Sequence, residues 1–352
     1  MKKNNKYLIN LILVILMSVA LFGCKKSASG ANEDNKASEL IVVGFSQVGA
    51  ESVWRNVNSE SMKKTFTEKN GYKLIFEDGQ QKQANQIMAI RKFIQQEVDY
   101  IVLAPVTETG WDTVLMEAKE AGIPVIIVDR MVDADPNLYT CWVGSNFKLE
   151  GEKLCTWIHE YCQSNGFDDT KLRIVDIQGN IGATAQIGRT RGLVDAAENY
   201  GWNVLRQTSG DFTRTKGYEV MKKILSQYKE INVVYCENDS MALGAIEAIE
   251  ESGRNVGQNL AEGNIMVVSF DGVDEEARQC VIDGKITCIA ECNPHHGPRV
   301  QSIIERLENG ETLPKLSYVN EEMYAHDSTV SIVSIKGENY KVSVIDNATN
   351  EE

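Results

Sequence analysis

Short apolar runs alternate with helical stripes through the first third of the chain. Residues 41–46 (IVVGFS), 73–77 (KLIFE), 100–104 (YIVLA), 124–128 (PVIIV) and 140–143 (TCWV) read as strands. Between them Ile87, Ile90, Ile94 and Val98 recur at helical spacing, and Val114, Leu115 and Ala118 mark a second helix that stops at residues 122–124 (GIP). The pattern then starts again. Residues 173–177 (RIVDI), 203–205 (NVL), 232–235 (NVVY), 265–269 (IMVVS) and 286–290 (ITCIA) form a second set of strands, with a helix over 241–251 burying Leu243, Ile246 and Ile249. Continuous apolar strands alternating with amphipathic helices predict parallel sheets covered on both faces. Two successive doubly wound α/β units account for the length of 352 residues.

The N-terminus has a different pattern. Lys2, Lys3 and Lys6 precede an apolar run over residues 8–22 broken only by Asn10 and Ser18. A charged flank followed by an apolar run shorter than the roughly 20 residues that span a bilayer is the form of a secretory signal peptide. It ends in Leu21, Phe22, Gly23 and Cys24, which resembles the lipobox of bacterial lipoproteins. That resemblance implies cleavage after residue 23 and diacylation of Cys24. Phe22 is bulkier than the small residue usual there, and the alternative is an uncleaved anchor with a chance cysteine. Residues 24–38 are polar and small, a flexible tether. The folded part is expected from residue 39 onward, outside the cytoplasmic membrane.

Composition narrows the partners. Hydrophobic residues make up 43% and charged residues 24%, globular values that exclude disordered and fibrous classes. The formal net charge of −14 falls to −17 without residues 1–23, which hold three lysines and no acid. Such a body does not present a broad basic face to nucleic acid or to an anionic membrane. Seven cysteines follow the lipobox, so in an exported protein at least one thiol is unpaired. Cys280, Cys288 and Cys292 near His295 and His296 fit no zinc spacing, so no metal is expected and buried free thiols are the simpler reading.

In doubly wound sheets ligands bind beyond the carboxyl ends of the strands. Here those positions carry Ser46 with Glu51, Trp54 and Arg55 beyond; Asp129 and Arg130; Thr184 and Arg189; Asp211 and Phe212; Asn238; Asp271; and Glu291. Charged and amide groups beside aromatic faces suit a sugar, whose hydroxyls take charge-assisted hydrogen bonds and whose C–H faces lie on rings. Taken singly, Asp, Asn and Ser after a strand often only cap the next helix, Trp54 fits a core, and Arg189 fits a surface pair. Their occurrence at nearly every strand end carries the reading. Catalytic motifs are missing: there is no GxGxxG or GxxxxGK[ST] loop, no GxSxG elbow, and none of the four histidines sits in a recognisable triad. Asp129 and Asp271 resemble a glycosidase pair only superficially, since Arg130 and Gly272 follow them. Binding without turnover, and without a cofactor, is the expectation.

These residues resemble the solute-binding proteins of sugar ABC importers, of the ribose-binding, type I periplasmic class, over residues 41–291 and more weakly beyond. The marks are Asp129–Arg130, residues 182–192 with Thr184 and Arg189, Asp211–Phe212, residues 238–242 (NDSMA) and residues 270–272 (FDG). Within the class the resemblance is strongest to galactofuranose-binding members, carried by residues 43–49 (VGFSQVG), 78–83 (DGQQKQ), 104–106 (APV), Trp111 and 209–214 (SGDFTR). It implies that Ser46, Trp54, Arg55, Asp129, Arg130, Asn146, Thr184, Arg189, Phe212, Asn238, Asp271 and Glu291 contact the ligand. Ribose binders place two rings where this chain has Trp54 and Arg55, which implies a guanidinium answering extra hydroxyls. Glu291 stands where they tend to carry Gln. Val53 and the cysteines depart from the pattern.

The resemblance also implies two lobes joined by a three-strand hinge, residues 39–143 with 292–323 and residues 144–291 with 324–352, closing on a monosaccharide. The expected partners are that sugar, in furanose or pyranose form, and the permease of an ABC importer. The expected protein is a monomer on a lipid anchor. Ribose, galactose and arabinose remain alternative ligands. A sensory protein presenting sugar or an autoinducer to a receptor kinase remains an alternative role.

Overall fold

A computed structural model describes residues 40–346. The signal segment, Cys24 and the tether lie outside the described residues, as do residues 347–352. No helix among the described residues is long and apolar enough to cross a membrane.

The first sheet contains β1 (Ile41–Gln47), β2 (Tyr72–Asp78), β3 (Tyr100–Leu103), β4 (Val125–Val128), β5 (Cys141–Gly144) and the late strand β11 (Leu316–Tyr318). Its order is β2-β1-β3-β4-β5-β11, parallel throughout. Helices α1 (Val53–Thr65), α2 (Gln83–Gln95), α3 (Asp112–Glu120) and α9 (His296–Glu308) supply Met62, Phe93, Leu115 and Ile304 to its core.

The second sheet contains β6 (Arg173–Gln178), β7 (Asn203–Ser209), β8 (Val233–Cys236), β9 (Met266–Asp271), β10 (Cys288–Glu291), β12 (Met323–Ala325), β13 (Ile332–Ile335) and β14 (Glu338–Val344). The order is β7-β6-β8-β9-β10-β12-β14-β13. Strands β6 to β10 are parallel; β12 runs antiparallel to β10, and β13 and β14 form an antiparallel hairpin. Side chains alternate between two cores. Val233, Tyr235, Met266, Val268 and Phe270 pack with α4 (Phe147–Ser164) and α5 (Thr184–Tyr200). Val234, Cys236 and Val267 pack with α6 (Arg214–Gln227), α7 (Asp239–Glu251) and α8 (Glu275–Ile282). A strand buried on both faces has no polar positions to alternate with, which is why these strands read as unbroken apolar runs. Each fully buried aliphatic side chain contributes about 1.5–3 kcal/mol.

Both sheets repeat the 2-1-3-4-5 order, so each has a switch point between its first and third strands, where adjacent loops leave in opposite directions. The chain crosses between the sheets three times: from β5 into α4, from β10 into α9, and from β11 into β12. The two α/β units and their three-strand hinge are thus the predicted fold. Details differ. Strand β7 extends to Ser209 rather than stopping at residue 205, α7 begins at Asp239 rather than 241, and the β13–β14 hairpin had no counterpart in the sequence reading. All seven described cysteines are free thiols, six buried and Cys280 half-buried. Burial pushes the thiols of Cys141 and Cys280 up to about 11, which leaves them protonated and inert.

Candidate functional site

The carboxyl ends of the two sheets meet at one cavity. After β1, Glu51 and Ser52 lead into α1, and Ser52 Oγ caps that helix by accepting from Arg55 N at 3.3 Å. The cap fixes the first turn, so Trp54 and Arg55 face the cleft. From β4 the chain turns through Asp129 into Arg130; from β9 it ends at Asp271; and the β7–α6 loop supplies Phe212. Asp129, Phe212 and Asp271 have φ of 62°, 59° and 100°, in the left-handed region that non-glycine residues avoid. Strained strand ends of this kind persist where the surroundings hold them, and here they swing three side chains into the cleft. Gly179 makes room for one of them: a Cβ there would lie 1.9 Å from Phe212 Cζ.

Glu51, Ser52, Trp54, Arg55, Asp129, Arg130, Phe147, Ala185, Arg189, Phe212, Asn238, Asp271 and Cys292 line the cavity, which encloses about 20 Å³. That is room for about one water molecule. The lobes touch across its mouth, where Glu108 N donates to Gly182 O at 3.0 Å and Met131 N donates to Thr184 Oγ1 at 2.9 Å. A ligand larger than a water molecule enters only if the lobes part.

Three guanidinium groups dominate the walls, and each is both acid-paired and stacked on a ring. Arg55 lies 2.8 Å from Asp129 and 3.2 Å from Glu51, with its guanidinium 4.6 Å from the Trp54 ring centre. Arg130 reaches Glu51 at 3.3 Å and stands 5.1 Å from the Phe212 ring. Arg189 donates to Glu150 at 2.8 Å, to Asp271 at 3.2 Å and to the carbonyl of Glu237, and lies 4.6 Å from the Phe270 ring. Planar guanidinium groups keep donors in plane while their faces rest on aromatic rings.

The acids respond differently. Burial alone would raise Asp129, but Arg55, Arg130 and His296 outweigh it and hold its carboxyl below the usual range. Burial pushes Asp271 up to about 7 against the pull of Arg189, with Glu150 and Asp129 adding to the rise. Several buried polar atoms lack hydrogen-bond partners: Glu51 Oε2, Asp129 Oδ2 and Arg130 Nε. The 2.8 Å approach of Arg55 to Asp129 Oδ2 is an ion pair by proximity without hydrogen-bond alignment, so that oxygen retains accepting capacity. Buried polar atoms without partners are uncommon, and these three belong to residues that line the cavity.

Of the twelve predicted contacts, Trp54, Arg55, Asp129, Arg130, Arg189, Phe212, Asn238 and Asp271 line this cavity. Asn238 also caps α7, accepting from Met241 N at 2.9 Å, so one amide both caps a helix and lines the cavity. The other four stand outside the wall. Ser46 is buried at the end of β1 with an unpartnered hydroxyl. Asn146 caps α4 by accepting from Leu149 N at 3.1 Å. Thr184 bonds across the cleft mouth rather than into the cavity. Glu291 ties hinge segments, accepting from Asn293 Nδ2 at 3.1 Å and Glu322 N at 2.8 Å. Glu51, Ser52, Phe147, Ala185 and Cys292 were not among the predicted contacts. Glu51 had a signal, an acid four residues before Arg55; Phe147, Ala185 and Cys292 had none beyond ordinary core chemistry.

Residues 43–323 match the periplasmic binding protein domain. The galactofuranose-binding protein YtfQ of Escherichia coli (strain K12) is 38% identical over 308 residues, covering 86% of this chain and 93% of that protein. A crystal structure from Mycobacterium smegmatis in complex with β-D-fucofuranose is 38% identical with a TM-score of 0.76, covering 82% of this chain and 92% of that one. The binding component of the arabinose ABC transporter from Shewanella sp. ANA-3, bound to α- and β-L-arabinofuranose, is 39% identical with a TM-score of 0.75, covering 82% and 93%. With its two doubly wound lobes, three crossovers and interlobe cavity, the chain belongs to the periplasmic binding protein family.

Proposed function

We propose that this protein is the extracytoplasmic sugar-binding component of an ABC importer, and that its ligand is a furanose, galactofuranose first among them. The observation that carries the reading is the cavity itself. Three ring-stacked, acid-paired arginines converge there with Glu51 Oε2 and Arg130 Nε, which have no hydrogen-bond partner, and with Asp129 Oδ2, which faces Arg55. Each hydroxyl of a sugar is at once a donor and an acceptor, so a polyol satisfies carboxylate and guanidinium atoms of one wall together. The aromatic faces of Trp54 and Phe212 offer apolar surface to the ring's C–H groups. Relatives whose names and bound ligands are galactofuranose, fucofuranose and arabinofuranose support the five-membered ring.

Function follows from closure. Sugar contacting both sheets' strand ends stabilises the closed arrangement by its differential affinity for it, and the lobes rotate about the three crossovers. A micromolar Kd corresponds to about −8 kcal/mol. The closed form is then presented to a membrane permease by a monomer held at the membrane through acylated Cys24. The two candidate acids serve as acceptors and not as a hydrolytic pair, since Asp129 is paired to Arg55 and Asp271 to Arg189.

The test is a calorimetric panel of galactofuranose, galactose, ribose and arabinose on the purified protein. Micromolar binding of galactofuranose, at least tenfold tighter than the pyranose form, is expected. Equal or tighter binding of a pyranose overturns the ligand assignment, and turnover of a galactofuranoside overturns the binding role.

A further inference from the structure

Where the three crossovers meet, a group of polar side chains is packed out of water. Ser145 lies on the first crossover, Cys292 on the second and Glu321 on the third, and Glu150 sits in the first turn of α4. Ser145 Oγ donates to Glu321 Oε1 at 2.6 Å and lies 3.3 Å from Cys292 Sγ. A hydroxyl has one proton to give, so the thiol is the donor in the second contact. Glu150, Cys292 and Glu321 each present a ligand atom, all within 4.8 Å of one another, and all three residues are buried. Glu150 is 1% exposed; Arg189 holds one of its oxygens, while Oε1 has no hydrogen-bond partner. The Lys153 ammonium donates to the backbone carbonyl of Glu321 at 2.9 Å and its charge favours the ionised Glu150, but it makes no hydrogen bond to Oε1. An unpartnered carboxylate oxygen in the interior is costly unless a positive group meets it.

We propose that Glu150, Cys292 and Glu321 form a site for one divalent cation of the zinc type, set inside the hinge. Zinc binds thiolate at about 2.3 Å and carboxylate at about 2.0–2.2 Å. Three atoms at the 4.8 Å limit lie about 2.8 Å from their common centre, so each side chain closes by roughly half an ångström to ligate. Ser145 Oγ lies beside two of the three ligand atoms, and a tetrahedral ion needs one further ligand beyond them. The thiol selects zinc or cadmium over magnesium and calcium, which take oxygen alone. Cys292 also lines the interlobe cavity, which gives the ion a route in when the lobes part. The ligands come from α4 and from the second and third crossovers, so a bound ion ties together segments that move against one another in lobe opening. This site does not depend on which sugar the protein binds.

The experiment is titration of the reduced, chelator-treated full chain with zinc chloride by calorimetry, and with cobalt chloride by absorption. One zinc per chain and a thiolate-to-cobalt charge-transfer band are expected. The band should vanish in Cys292→Ser, and zinc affinity should fall at least about tenfold in Glu321→Gln. Circular dichroism and a thermal melt establish that each variant is folded. Absence of stoichiometric zinc binding by the wild-type chain overturns the proposal, as does binding without a thiolate band. Either result stands even if a variant fails to fold.

Discussion

Nη2 of Arg55 lies 2.8 Å from Oδ2 of Asp129, and both side chains are almost wholly buried. Coulombic attraction holds the acid ionised against burial, and Asp129 and Glu51 in turn hold the arginine's proton. A buried charge pair is sensitive to loss of one partner, which leaves the other uncompensated. Arg55→Ala should therefore lower stability, by up to about 3–5 kcal/mol, and weaken galactofuranose binding at least tenfold. Arg55→Lys keeps the charge and loses the planar fork, so it should retain most of the stability while still losing affinity. Thermal melts and calorimetry on the two variants separate these effects; an unchanged Kd in both would remove Arg55 from the sugar contacts.

Gly179 and Phe212 give a second handle. A Cβ at residue 179 collides with the Phe212 ring, at 1.9 Å from Cζ. Gly179→Ala should turn that ring out of the cavity wall and weaken sugar binding at least tenfold with secondary structure unchanged. Calorimetry alongside far-ultraviolet circular dichroism reads both. Wild-type affinity would show that the ring takes no part in binding.

Thr184 isolates closure from contact. Its hydroxyl accepts from Met131 N across the cleft mouth, and it does not line the cavity. Thr184→Val removes a hydrogen bond worth about 0.5–1.5 kcal/mol that exists only with the lobes together. Sugar affinity should fall roughly two- to tenfold, mostly through faster release. Stopped-flow kinetics decides: a slower association with unchanged release would contradict a closure role.

His296 supplies a pH dependence. His296 is buried, with Nδ1 3.0 Å from Asn58 Nδ2 and 3.4 Å from the Pro294 carbonyl and Nε2 without a partner. Burial pulls its pKa down to about 4 from an ordinary 6.5. The unfolded chain binds this proton first, so the contribution is complete above pH 6.5 and is lost as pH falls toward 4, about 3 kcal/mol in all. Urea unfolding at pH 7.5, 6 and 5 should show the wild type losing stability faster than His296→Gln. Parallel slopes would contradict the assignment.

The inner parallel strands of both sheets were legible because they are buried on both faces, as in β9 with Val267 on one side and Val268 on the other. Some edge elements were not. The second half of β7, residues 206–209, is polar at the margin of its sheet, and β13 alternates a buried Val333 with exposed neighbours too briefly to register. At the site, residue chemistry was a fair guide where strand ends open directly on the cleft, as with Asp129 and Asp271. It did not distinguish Asn238, which both caps and lines, from Asn146, which caps α4 without lining the cavity, because both roles use the same amide. Phe147 and Cys292 enter the wall by position alone, and the left-handed turns at Asp129, Phe212 and Asp271 leave no trace in composition.

The three crossings between the sheets also fix an order of assembly. Strand β11 and helix α9 complete the first sheet's unit, yet they follow β6 to β10 of the second. A chain released from its N-terminus therefore carries β5 as an unpaired edge until residue 318 has emerged, whereas β6 to β10 arrive consecutively. Contacts between distant segments form slowly, and bare strand edges invite mispairing while they wait. The half that begins first thus waits on a segment made after most of the other half, and a fragment cut at the first crossover would keep that open edge permanently.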